Sequence, residues 1–381
     1  MLSAPLADSL ACPVATPRAL PIPPLALLLS ELAASNYSFI TPTPLTHQRV
    51  VAHKAQRPRP AVKSGQPTTT LREIFGWNLP FEAEAVRRDL LALMEDIGIL
   101  RLHGDSFLST VRVSCIDDDL FVHSAYPTTQ DNAVFFGPDT YRFARFIQQG
   151  IELRYNWRVG AGRERVDTAL RVLDVGCGSG AGGVVAARCL KKLGAPFNVV
   201  MNDINPLALH YTAVNSAFAG IPTELALGDA LSAVGGQFDL VISNPPYLDD
   251  ASARAYRHGG ARLGRALSVR IAAEALSRLA PGGQLLLYTG VAIVDGVDPF
   301  MAEMLPLLAR SDCDWSYAEI DPDVFGEELE QPVYATSTAS RLLVWLPSVT
   351  GRCPDASRAA GPWRPSFRQR RSPCAPRPQY A

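Results

Sequence analysis

No Cys-x-x-Cys pair occurs in the chain, although it holds seven cysteines. They stand apart as Cys12, Cys115, Cys177, Cys189, Cys313, Cys353 and Cys374. An odd, scattered set fits neither a disulfide framework nor a zinc site and suits a reducing compartment. The six histidines show no ligand-like clustering, so no metal is expected. No run approaches the ~20 apolar residues that cross a bilayer; the best, Leu25–Leu29, is short. No lysine or arginine precedes Arg18, which argues against a secretory signal peptide. These absences point to a cytoplasmic protein with no membrane partner.

Charge is sparse as well. Charged residues make up 19% of the chain and hydrophobic ones 47%, the balance of an ordinary globular protein. The net charge of -1 is unevenly placed: residues 351–381 carry seven arginines against one aspartate, which leaves an acidic body. An acidic body disfavours a long nucleic-acid duplex, whose phosphates need a basic face. A local basic groove remains compatible with it.

Composition divides the chain into four parts. Residues 1–68, rich in Ala, Pro, Ser and Thr, read as a disordered leader, with a short helix conceivable around Leu25–Ser35. Residues 69–130 read as a small α+β module. Phe81–Met94 has helical spacing, and Gly98–Leu108 alternates around a His-Gly-Asp turn, as a helix and hairpin resembling a winged helix would. Val111–Cys115 and Leu120–His123 suggest a second hairpin around Asp117-Asp-Asp119. Residues 131–350 form the main domain, and 351–381 a disordered basic tail rich in Pro and Arg.

From Ala169 onward, strands alternate with helices. Strands are expected at Arg171–Val175, Asn198–Asp203, Thr223–Leu227, Phe238–Ser243, Gln284–Thr289, Asp314–Ile320 and Arg341–Leu346. Helices are expected at Ala181–Leu193, Pro206–Phe218, Leu263–Leu279 and Met301–Ala309. Continuously apolar strands in this alternation imply a mostly parallel α/β sheet covered on both faces. Its ligands belong at the carboxyl ends of the strands, near the switch point.

Leu173-Asp-Val-Gly-Cys-Gly-Ser-Gly-Ala-Gly-Gly183 follows the first of these strands and opens a helix. Gly176, Gly178 and Gly180 permit tight turns and close approach to a ligand, beside the free N–H groups of a helix N-terminus. Gly178-x-Gly180-x-x-Gly183 also satisfies the dinucleotide fingerprint, so an NAD- or FAD-dependent oxidoreductase competes. Against it, Asp174 precedes the first glycine, where a carboxylate would repel a pyrophosphate. It better suits the ammonium group or ribose of S-adenosyl-L-methionine, directly or through water. Asp203 ends the second strand and is placed to accept both ribose hydroxyls, whereas Asn205 with Pro206 better suits a helix cap. Asp229 could accept from an adenine amino group or cap the next short helix.

The fourth strand stops at Asn244-Pro-Pro-Tyr247, because two prolines can continue neither a ladder nor a helix. A planar nitrogen is a poor nucleophile, since its lone pair is delocalised. Two acceptors for its hydrogens, the Asn244 side-chain oxygen and the Pro245 carbonyl, would orient it and favour loss of conjugation. Tyr247 would pack over the flat acceptor group. Alternatively, the stretch merely turns the chain.

Residues 134–346 resemble a class I S-adenosylmethionine-dependent methyltransferase. Val241-Ile-Ser-Asn-Pro-Pro-Tyr-Leu248 is most similar to the release-factor glutamine N5-methyltransferases. That family carries a Pro-Arg-x-(Glu/Asp)-Thr-Glu segment ahead of the sheet, bordering the cofactor; here Pro138, Asp139 and Thr140 stand in comparable places. A weaker echo is His258-Gly-Gly260 with Gly264, Leu267 and Ile271. Gly137 and Tyr141 depart from the family's pattern, as does the chain's N-terminal third. The resemblance implies a Rossmann-like sheet of seven strands, mostly parallel with the last antiparallel, and a small N-terminal module. It implies S-adenosyl-L-methionine as cofactor, bound by Pro138, Thr140, Asp174, Gly176, Gly178, Gly180, Asp203, Asp229 and Asn244. Asn244, Pro245 and Tyr247 would be catalytic. The favoured partner is a protein, such as a translation release factor, methylated on a glutamine amide. Adenine or guanine amino groups of RNA or DNA are the alternative acceptors, since the same motif serves them, and a non-catalytic binding scaffold is the rival class. Asp321–Glu330, with five carboxylates, reads as a solvated loop or a substrate rim.

Overall fold

The computed structural model describes residues 23–56, 67–128, 130–160, 168–250, 254, 256–311, 313–321 and 329–349. The basic tail and the first 22 residues of the leader lie outside these, as do residues 322–328 of the acidic stretch.

The leader holds a helix at Pro24–Ala34, where a short one was conceivable, and a second at Pro44–Ala55, against the expectation of disorder to residue 68. Helix α1 (Pro24–Ala34) opens with Pro at its first turn, where the missing N–H costs nothing. Leu25, Leu28, Leu29 and Leu32 recur at helical spacing and are buried in one stripe. Helix α2 (Pro44–Ala55) is capped by Thr43, whose side chain accepts from the Thr46 N–H. Helices α3 (Pro67–Phe75) and α4 (Arg88–Asp96) follow, then two hairpins: β1 (Leu100–His103) with β2 (Ser106–Ser109), and β3 (Val111–Ile116) with β4 (Asp119–Ser124).

The long helix α5 (Pro138–Gly160) leads into the main sheet. In chain order come β5 (Leu170–Val175), α6 (Ala181–Lys192), β6 (Phe197–Asp203), α7 (Pro206–Ala219), β7 (Thr223–Leu227) and β8 (Phe238–Ser243). Then follow α8 (Ala266–Arg278), β9 (Leu279–Val294), α9 (Pro299–Leu308), β10 (Cys313–Asp321) and β11 (Ser337–Val349). The sheet order is β10-β11-β9-β8-β5-β6-β7. The five strands from β9 to β7 are mutually parallel, while β11 runs antiparallel to both β9 and β10. This is the expected seven-stranded, Rossmann-like α/β sheet. One face packs on α5 and α6 through Phe143, Ile147, Val184 and Leu190, the other on α8 and α9 through Ile271, Ala275, Phe300 and Met304.

The N-terminal part shares its core with the main sheet's helices. The α1 leucines, Val113 and Val122 pack with Ala208, Tyr211 and Val214 of α7. Asn215 of α7 pairs with the edge of β4: its amide oxygen accepts from the Val122 N–H at 2.8 Å, and its NH2 donates to the Val122 carbonyl at 3.0 Å. A fully buried amide thus satisfies a strand edge that would otherwise be orphaned.

Leu29 is fully buried in this shared core. Leu29→Ala is expected to cost about 2–5 kcal/mol of stability, read from urea unfolding. An unchanged midpoint and slope would remove α1 from the folded unit.

Candidate active site

β5 and β8 are parallel neighbours, with Val175 paired to Ser243. The next residues, Gly176 and Asn244, therefore stand side by side where both strands end. A cavity of about 430 Å³ opens there. Gly176, Gly178, Asp203 and Asp229 line one side, and Thr140, Asn244, Pro245 and Tyr247 another. Pro138, Asp174 and Gly180 do not line it. Pro138 begins α5, and Gly180 precedes α6 in a left-handed conformation.

Asp203 has the cavity on one side and the glycine loop on the other. Its Oδ2 accepts from the Gly178 N–H and its Oδ1 from the Asn205 N–H, both at 2.9 Å. Burial raises its pKa, partly offset by these bonds. Asn205 caps α7, its Oδ1 accepting from the Leu207 N–H at 3.0 Å, as its place before Pro206 implied. The Asp203 carboxylate thus fixes the glycine loop and still borders the cavity.

Asp174 has a different role from the one its position suggested. It is buried to 1% exposure, and its Oδ2 accepts from the Gly183 N–H at 2.7 Å, tying β5 to the first turn of α6. Asp229 lines the cavity, yet its two oxygens receive the Arg270 guanidinium at 2.8 and 2.5 Å. That pairing lowers its pKa and occupies the edge that an adenine amino group was expected to use.

No hydrogen bond reaches the Asn244 amide among the described residues, nor the Pro245 carbonyl. Both acceptors on the proline-stiffened loop are therefore available to the cavity. Tyr247, by contrast, is already committed. Its hydroxyl donates to Asp139 Oδ2 at 2.9 Å, and its ring lies where a Cβ on residue 290 would stand, so Gly290 is required there. Asp139 also accepts from Arg142 at 3.0 Å and from Tyr288 at 3.3 Å, and Arg142 continues to Asp321 at 3.1 Å. Tyr247 braces the loop from behind rather than lying loose over an acceptor.

Asp139 lines the cavity as well, and its signal was the Pro-Asp-Thr segment it shares with Pro138 and Thr140. The glycines of the weaker echo have a structural reason too. A Cβ on Gly264 would sit 2.2 Å from the Tyr247 carbonyl oxygen, so the chain after the loop presses directly against it.

The far wall of the cavity joins Phe135, which leads into the Pro-Asp-Thr segment, to segments that no motif marked. Phe135 stacks on Tyr256 at 6.1 Å and 19°, and Tyr256 donates to the Thr128 carbonyl at 2.7 Å. The departure at Gly137 follows from this: a Cβ there would lie 2.5 Å from the Phe135 ring. Pro44, Tyr126 and Thr128, from the N-terminal part, complete the wall.

Burial raises the Asp174 pKa to about 7, with Asp203 adding to the effect and the Gly183 bond opposing it. An acid whose folded pKa exceeds its unfolded value stabilises below the unfolded pKa and loses that contribution as pH rises through the folded one. Native stability relative to Asp174→Asn is therefore expected to decline between about pH 4 and 7, by about 1–4 kcal/mol. Denaturant unfolding of both proteins across that window checks it; parallel pH curves would refute the buried-acid assignment.

Comparison with known proteins agrees with this site. Residues 164–292 match the family model of the methyltransferase small domain. The release factor glutamine methyltransferase of Koribacter versatilis is 32% identical over 169 residues, 41% of this chain and 55% of that protein. Its Deinococcus radiodurans counterpart is 34% identical over 168 residues, 42% of this chain and 55% of that protein. The ribosomal RNA small subunit methyltransferase C of Serratia proteamaculans is 33% identical over 115 residues, 30% of this chain and 29% of that protein. The chain thus spans about half the length of the release-factor relatives it matches. The sheet order and the strand-end cavity agree with the matched segment: residues 164–292 carry a domain of the methyltransferase small-domain type.

Proposed function

We propose that this protein is an S-adenosylmethionine-dependent N-methyltransferase acting on a planar nitrogen, with a protein glutamine amide as the favoured acceptor. The observation that carries the reading is the pair of unengaged acceptors, Asn244 Oδ1 and the Pro245 carbonyl, beside the glycine loop. The residues fit the cofactor: Gly176 and Gly178 bring bare backbone to the cavity, and Asp203 offers a carboxylate for ribose hydroxyls.

When bound, S-adenosylmethionine supplies an electrophilic methyl, whose bond to sulfur breaks as the bond to nitrogen forms. Asn244 and Pro245 hold both acceptor hydrogens, turning the nitrogen lone pair out of conjugation and toward that carbon. Asp139, through Tyr247, keeps the loop from yielding as charge develops on the nitrogen. The extra proton leaves to solvent after transfer, so no strong base is required beforehand. Orientation and fixed dipoles supply most of the acceleration.

A second reading, a nucleobase amino group as acceptor, draws on the stacked Phe135–Tyr256 pair lining the acceptor end. The similarity to a ribosomal RNA methyltransferase also favours it.

Asn244→Ala is expected to leave cofactor affinity near normal in calorimetry and to lower methyl transfer by about 100-fold or more, the scale for losing a preorganised polar group. Asp203→Ala should instead weaken cofactor binding by about 1–3 kcal/mol. Full transfer by the first variant, or full affinity in the second, would overturn the corresponding role. Incubation with methyl-labelled cofactor and cell extract, then nuclease or protease, separates the acceptors. Label that survives nuclease and is lost to protease supports glutamine; the opposite pattern establishes the nucleobase.

A further inference from the structure

Arg112, on β3, is a buried cation with no anionic partner among the described residues. Its side chain is 4% exposed, its Nε donates to the Gly76 carbonyl at 2.8 Å, and its guanidinium stands 5.5 Å over the Phe39 ring. Its Nη2 is buried without a hydrogen-bond partner, and no carboxylate among the described residues forms an ion pair with it. Burial lowers its pKa only to about 10, so it stays charged at neutral pH. His47, on α2 and equally buried, likewise has an unpartnered Nδ1.

Both side chains line one hollow of about 10 Å³, room for a single water or small ion. Neighbouring polar groups are spoken for. Tyr37 donates to the Val113 carbonyl, while the two His123 nitrogens meet Ser114 and the Ser124 carbonyl. A water would satisfy geometry but leave the charge uncompensated, and an uncompensated buried charge is costly. Pro44, Tyr126, Thr128 and Phe135 line both this hollow and the main cavity.

We infer that the hollow between Arg112 and His47 is a binding site for a small monovalent anion, a halide or a carboxylate group. Such an ion accepts from Arg112 Nη2 and from the His47 Nδ1–H tautomer, and braces the wall that closes the acceptor end. The site itself stands independently of methyl transfer; only the source of its anion is read through the proposed reaction.

The test follows thermal unfolding of the full chain at constant ionic strength, replacing bulky gluconate by chloride, bromide or acetate. A saturable rise of about 2–4 °C is expected, abolished in Arg112→Gln and in His47→Phe. Chloride NMR needs no heating: excess line broadening is expected with the native chain and not with Arg112→Gln. Coincident curves in all salts without broadening, or a rise undiminished in both variants, would overturn the site. A rise given by inorganic phosphate alone would overturn the monovalent assignment in favour of a nucleic-acid backbone. Two sources of the anion are separated by methyl incorporation into cell extract. Inhibition by chloride or acetate in the native chain but not in Arg112→Gln places the anion on the acceptor; undiminished incorporation alongside the thermal rise identifies a free ion. Either result upholds the site.

Discussion

The parallel pairing of β5 with β8 sets the geometry on which the rest depends. The chain builds outward from β5 through β6 to β7, then returns to β8 on the opposite flank of β5. Two crossovers therefore diverge from one point, and the crevice between them cannot be filled by either connection. The Val175–Ser243 register places the glycine turn and the Asn-Pro-Pro loop at the two lips of that crevice. Both strands are buried on both faces, so a one-residue slip would require repacking two cores.

A second constraint keeps the crevice walls rigid. The Asn-Pro-Pro loop has few backbone donors, so its position is enforced by what presses on it. Tyr247 is drawn toward Asp139 from one side, and the Gly259–Gly264 turn contacts its backbone from the other. Asp139 gathers two tyrosine hydroxyls and an arginine in a site with little solvent. A buried carboxylate with three donors is well satisfied, and losing any one would leave the others pulling unevenly. The glycine loop is held in the same manner by Asp203 and Asp174, each accepting a backbone N–H from the turn or from the helix it opens.

Strand and helix alternation, the glycine turn, Asp203 and Asn244 were legible in the sequence because each depends on local pattern. Asn205 was legible for the same reason, as a cap followed at once by proline. What escaped depends on long-range packing or on side-chain direction. The α1 stripe of leucines was visible, but the surrounding Ala and Pro content outweighed it, and its burial partner α7 lies far along the chain. Asp174, Asp229 and Tyr247 were recognised as polar groups at strand ends, yet no spacing rule says which neighbour will engage their oxygens. Arg270, which pairs with Asp229, comes from a helix 41 residues later.

The two halves of the cavity differ in how they are encoded, and that difference bears on acceptor choice. The cofactor side comes from consecutive strand ends, so a short contiguous pattern specifies it. The acceptor side is assembled from Pro44, Tyr126, Thr128, Phe135 and Tyr256, spread over more than half of the chain. Release factor glutamine methyltransferases and a ribosomal RNA methyltransferase each match less than half of this chain, and the matched family domain, residues 164–292, holds the glycine turn and Asn244. As proposed, the Asn-Pro-Pro loop asks only for a flat nitrogen with two hydrogens. On the proposed reaction, discrimination between an amide and a base falls to the second half, where Gly137 lets Phe135 fold against Tyr256 and the N-terminal part closes the wall. A slender side chain and a flat ring place opposite demands on that wall, so under the proposed reaction the packing of α2 against Tyr126, through His47 and Gln48, bears on which of them reaches Asn244.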